Sequence, residues 1–111
     1  MRQNKTLKFK SHLAGLILKG EKNTTHRLFD DKDLKEGDQV NLINKNTLEK
    51  FAEAKLIKVY EKTLGTLTGA DWEGHEKFSS DEEMYETYKK YYSDKIIDKN
   101  TVVKIIRFEI V

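Results

Sequence analysis

The alternation of apolar and polar side chains outlines the chain. From Thr6 to Lys10, Leu7 and Phe9 alternate with Lys8 and Lys10, which predicts a short half-buried strand. The period then changes. Leu13, Leu16 and Ile17 recur at helical spacing, Ser11 stands at the N-cap position and Gly20 where a left-handed C-cap belongs. A helix is therefore expected over residues 12–19. Residues 24–28 are rich in β-formers and predict a strand directly after it. Gly37-Asp38 signals a turn, Val40 and Leu42 alternate behind it, and residues 44–47 read as a polar hairpin tip.

The longest predicted strand covers residues 51–61. Ala52, Ala54 and Leu56 share one parity, whereas Ile57 and Val59 take the other. A β-bulge between Leu56 and Ile57 would restore one inward face, and bulges suit a small closed barrel. Residues 63–74 read as a short helical turn with Thr68 as its cap and Leu67 and Trp72 as packing residues. Ser80 and Glu83 form a capping box ahead of a helix over residues 81–92. Met84, Tyr85, Tyr88, Tyr91 and Tyr92 share one broad face of it, either as core with wet hydroxyls or as a stacking surface for bases. After a turn at 98–101, the last strand points Val102, Ile106, Phe108 and Ile110 one way and Val103, Ile105, Arg107 and Glu109 the other. This order predicts a single α+β domain over residues 1–111, a mixed β-barrel of five to six strands with two to three helices at its openings.

Composition narrows the class. At 36% charged, 37% hydrophobic and 10% aromatic residues, the chain is polar but globular. It has no cysteine, so disulfides and thiolate metal sites are excluded. No apolar run reaches the roughly 18 residues that span a bilayer. The polar start has no apolar core of a signal peptide, so a cytoplasmic protein without membrane contact is expected; its oligomeric state is open, with a monomer favoured. Net charge is only +2, but residues 1–22 carry a balance of +5 and residues 71–86 one of −6. Such asymmetry marks either a basic face for phosphate or ordinary solvated surface. A near-neutral total suits a small nucleoside better than tight, sequence-independent RNA binding, which needs many phosphate contacts.

The most unusual stretch is Gly20-Glu21-Lys22-Asn23-Thr24-Thr25-His26-Arg27, where a helix stop is followed by hydroxyls and cations. If the strand begins at Thr24, alternation puts Thr25 and Arg27 on one face and turns His26 away. His12, His26 and His75 have no metal-ligand spacing among themselves, so neither metal nor cofactor is expected. Trp72 would either stack on a base or cover a core opening; Gly69 and Gly74 bracket its segment and allow it to move.

These residues resemble the ASCH domain family. Gly20, Lys22, Thr25 and Arg27 fit its G-x-K-x-x-(E/T)-x-R signature. Gly37-Asp38 with Val40 and Leu42, the Ala52/Ala54 lead into the long strand, Glu76-Lys77-Phe78-Ser79-Ser80 before Glu82-Glu83-Met84, and the closing strand from Val103 to Phe108 match further steps in order. The resemblance spans nearly the whole chain and implies a PUA-like barrel that binds RNA or a modified nucleoside. Some ASCH proteins resemble amidohydrolases that remove the acyl group from N(4)-acetylcytidine. The resemblance then gives catalytic roles to Lys22, Thr25 and Glu76, with Glu73 as the alternative alignment for Glu76. Thr25 would be the nucleophile, Lys22 its base once burial favours the neutral amine, and Glu76 would orient the leaving amine or relay a proton. Arg27 would pair with a phosphate or with an acid of the 71–76 loop. Arg27, Thr24, Trp72 and Glu73 are the expected substrate or RNA contacts. Other relatives imply a ribonuclease or a non-catalytic RNA-binding module. Asn23, His26 and Lys77 depart from the family pattern and bear on pocket shape.

Overall fold

The computed structural model describes residues 5–29, 32–75 and 77–111. Strand β1 (Lys5–Phe9) leads into helix α1 (Ser11–Leu18) and strand β2 (Thr24–Leu28). Strands β3 (Gln39–Asn44) and β4 (Lys50–Thr63) form a hairpin. Two 3-10 turns (Leu64–Thr66 and Gly69–Trp72), helix α2 (Asp81–Tyr91) and strand β5 (Val102–Ile110) complete the order.

The strands form one mixed sheet in the order β1-β3-β4-β5-β2, with β1 parallel to β3 and the other pairs antiparallel. This is the expected α+β architecture, a half-barrel flanked by two helices. Its edges are β1 and β2, which approach each other without pairing their backbones. Arg27 on β2 reaches across instead: Nη2 donates to the Lys8 carbonyl at 2.9 Å, and the guanidinium lies 4.7 Å from the Phe9 ring centroid.

The bulge stands where the parity break put it. Leu56 pairs with Phe108 and Lys58 with Arg107, so Ile57 is skipped in the ladder. Leu56 is fully buried, Ile57 is 46% exposed, and Val59 packs back against the same core as Leu56. That core gathers Leu7, Phe9, Ile17, Val40, Leu42, Ile106 and Phe108. A second core lies under α2, where Val103 and Ile105 meet Leu28, Leu64, Met84, Tyr88 and Ile97. The two parities of β5 therefore serve two cores, while Val102 and Ile110 emerge exposed near its ends. Tyr88 is core, whereas Tyr91 is half-exposed.

One cap differs from expectation. Lys10, not Ser11, holds the N-cap of α1. Ser11 opens the helix, and both its amide and its hydroxyl donate to Asn46 Oδ1, at 2.9 and 3.1 Å. Ser11 lies inside the helix rather than ahead of it, and its hydroxyl is turned to the β3–β4 hairpin, so its oxygen is not placed to accept from the first-turn amides. Ser80 does cap α2, with its Oγ accepting from the Glu83 amide at 3.2 Å.

Two adjacent aliphatic residues should respond very differently to truncation. Leu56→Ala is expected to cost about 2–5 kcal/mol. Ile57→Ala should change stability by less than about 1 kcal/mol. Urea unfolding of both variants checks the bulge directly.

Candidate functional site

The site begins at the end of α1. Gly20 adopts φ +80, and the amides of Gly20 and Glu21 return to the carbonyls of Ile17 and Leu16 at 3.0 and 2.9 Å. This Schellman pair stops the helix and aims the chain at β2. Lys22 falls at the bend and is only 2% exposed, and its Nζ donates to the Thr24 carbonyl at 2.8 Å. Strand β2 pairs with β5 along one edge, Thr25 opposite Ile106 and Arg27 opposite Lys104. Its other edge faces β1 across an open cleft.

The cleft has a volume of about 470 Å³. Lys8, Lys10, Lys22, Arg27 and Lys45 line it with Thr25, the three histidines, and aromatic rings from Phe9, Phe78, Tyr88, Tyr91 and Tyr92. No carboxylate lines it among the described residues. Five cations around aromatic rings make the cleft electropositive and offer faces for stacking.

The wall behind His26 is held by a buried acid. Asp71, 3% exposed, accepts from Tyr60 Oη at 2.7 Å, Lys62 Nζ at 2.8 Å and the Thr68 amide at 2.7 Å. Burial raises the Asp71 carboxyl, but the hydrogen bonds from Lys62, Tyr60 and Thr68 outweigh it and hold the group well below the usual carboxylate range. Burial and the neighbouring Asp71 carboxylate push Tyr60 up to about 12. The Asp71 carbonyl in turn accepts from His26 Nε2 at 2.8 Å, which assigns that proton to Nε2. His26 stacks on His75 with centroids 4.1 Å apart and lies 4.6 Å from Trp72. Trp72 meets Phe78 edge-on, and Phe78 meets Tyr88, so the aromatic contacts run from the loop to α2.

Gly74 docks this loop on β2. Its carbonyl accepts the amides of Asn23 and Thr24 at 2.9 and 3.1 Å, its φ is +74, and an added Cβ would collide with Asn23 Oδ1.

Of the residues singled out from sequence, the cleft brings together Lys22, Thr25 and Arg27. Thr24 is buried outside it, with Arg107 Nε 3.5 Å from its Oγ1. Glu73 is exposed and lies 3.9 Å from Arg107 Nη2. Trp72 lines a separate, smaller hollow with Phe78 and Met84. Glu76 lies outside the described residues. His26 does not turn away as alternation suggested: it lines the same cleft as Thr25 and Arg27. Beside a free sheet edge, side chains from both faces of a strand reach the same space. Lys8 and Lys10 were visible in the basic N-terminal run, but nothing local marked His12, Lys45 or His75. Among the described residues no group of His, Asp or Glu is arranged to hold a metal ion.

No known family model and no curated protein matches this sequence. Solved structures do. A protein of Enterococcus faecalis V583 described under family model DUF984 superposes with TM-score 0.83 at 15% identity, over 100% of this chain and 82% of that one. An ASCH domain from Lactobacillus crispatus JV V101 gives TM-score 0.71 at 13% identity, over 96% of this chain and 79% of that one. ASCH from Zymomonas mobilis gives 0.66 at 10% identity, over 94% and 65%. The chain has the ASCH-domain fold.

The Asp71 network sets a pH dependence. A carboxyl depressed on folding stabilises fully above its unfolded value, about 4, and that contribution is lost as pH falls further. A phenol raised on folding stabilises below about 10 and loses its contribution as pH rises through about 12. Asp71→Asn should lower stability by about 2–3 kcal/mol at pH 7 and flatten the acid limb of a urea-midpoint profile. Gly74→Ala should destabilise by more than about 1 kcal/mol in the same assay, because it adds strain to a collision.

Proposed function

We propose that the cleft binds RNA or a modified nucleoside, and that N(4)-acylcytidine is the substrate class on which Lys22, Thr25 and Glu76 act. One observation carries the reading. Four cations besides Lys22, namely Lys8, Lys10, Arg27 and Lys45, share a cleft with several aromatic rings and no described carboxylate, which suits a phosphate beside a stacked base. Arg27 and the lysines supply the anion contacts. The tyrosines and histidines supply the stacking faces.

Hydrolysis is favoured by a second feature. Lys22 is almost wholly buried and lines the same cleft as Thr25. In this reading Thr25 Oγ attacks the acyl carbon, its proton passes to the Lys22 amine, and the cytosine 4-amino group leaves carrying a proton. Water then cleaves the threonyl ester and releases the carboxylate. Glu76, the family's glutamate position, orients the leaving amine.

Two assays separate binding from turnover. Acetate release from N(4)-acetylcytidine is expected, and Lys22→Ala and Thr25→Ala should each lower kcat at least a hundredfold. Single-stranded RNA should bind at low salt and weaken as salt rises. Salt-sensitive binding with no acetate release would leave a non-catalytic RNA-binding module. RNA shortening abolished by Lys22→Ala would identify a nuclease instead.

A further inference from the structure

The cleft does not end at Arg27. The same arginine lines a second hollow of about 590 Å³, together with Phe29, Glu61, Asp98 and Lys104. Phe29 stands between the two. It follows the last residue of β2 and takes φ 53, a left-handed conformation unusual for a bulky side chain. Phe29 is 44% exposed, and its ring meets that of Tyr92, which lines the first cleft, edge-on at 5.4 Å. Lys95 Nζ lies 5.6 Å from the Phe29 ring centroid. An aromatic residue held at backbone cost and left in solvent points to a use outside the fold.

The charges along this path alternate usefully. Arg27 lies between the hollows, where the phosphate linking two nucleotides would fall. Inside the second hollow, Asp98 Oδ1 accepts the Asn100 amide at 2.8 Å, and Glu61 stands opposite Lys104 on β5. Two carboxylates there disfavour a phosphate but accept from donors such as a base amino group or a ribose 2′-hydroxyl.

We propose that the second hollow is a subsite for the adjoining nucleotide of a single-stranded RNA, with Phe29 as its stacking platform. This rests on the reading of the cleft as a nucleotide site. It makes an oligonucleotide, rather than a free nucleoside, the preferred ligand.

The test titrates the full chain with cytidine 5′-monophosphate and with the trinucleotide CpCpC at fixed low salt. The trinucleotide should bind at least tenfold tighter. Phe29→Ala should remove about tenfold of trinucleotide affinity and leave monophosphate affinity unchanged, while Phe29→Tyr retains the wild-type preference. Equal affinity for the two ligands overturns the subsite but spares the nucleotide reading of the cleft. A trinucleotide preference indifferent to Phe29→Ala, in a variant with unchanged thermal melting, also overturns it. Absence of binding by either ligand overturns both.

Discussion

The buried carboxylate of Asp71 organises one side of the molecule. It ties the loop after β4 back onto that strand through Tyr60 and Lys62, and it closes its own turn on the Thr68 amide. A buried charge is tolerable only when it is satisfied this fully. Because Asp71 is fixed, its carbonyl is fixed, and His26 is held at the cleft wall against His75 and Trp72. Gly74 completes the tie by docking the loop on the start of β2. Cleft geometry thus depends on contacts that lie behind the cleft.

The second determinant is incomplete closure of the sheet. Strands β1 and β2 are edges of one sheet, and a side chain rather than a backbone ladder spans them. A closed barrel would have buried this seam. Left open, it lets Thr25, His26 and Arg27 of β2 line one cleft and collects basic side chains from β1, from the α1–β2 bend and from the β3–β4 hairpin. Among the described residues, the acids of the 71–86 stretch do not line the cleft. Asp71 is buried, Glu73 turns toward Arg107, and Asp81, Glu82 and Glu83 occupy the first turn of α2, where they complement its dipole. Charge segregation along the sequence becomes charge segregation in space, and the positive share surrounds the concavity.

Much of this was legible from residues alone. Strand periodicity located β1, β3 and β5 closely, β-former content located β2, and the broken parity of β4 marked the bulge. Gly20 and Ser80 announced a helix end and a helix start for reasons internal to a few residues. Lys22, Thr25 and Arg27 stood out together because they cluster in sequence, and they line one cleft. The failures share a cause. Ser11 lost its capping role to Asn46, thirty-five residues away. His26 was assigned by alternation, which presumes a sheet with two separate faces. His12, Lys45 and His75 had no local mark at all.

The amino-acid sequence by itself determined the elements, their order, the bulge and the polar stretch after α1, because backbone sterics and side-chain periods act over a few residues. Tertiary structure alone decided that β1 and β2 stop short of pairing, that Asp71 is buried as an anchor rather than solvated, and that basic side chains from β1, the α1–β2 bend, β2 and the β3–β4 hairpin share one concavity. Those outcomes depend on which segments meet after long loops close, and contacts between remote segments leave no periodic trace in the chain.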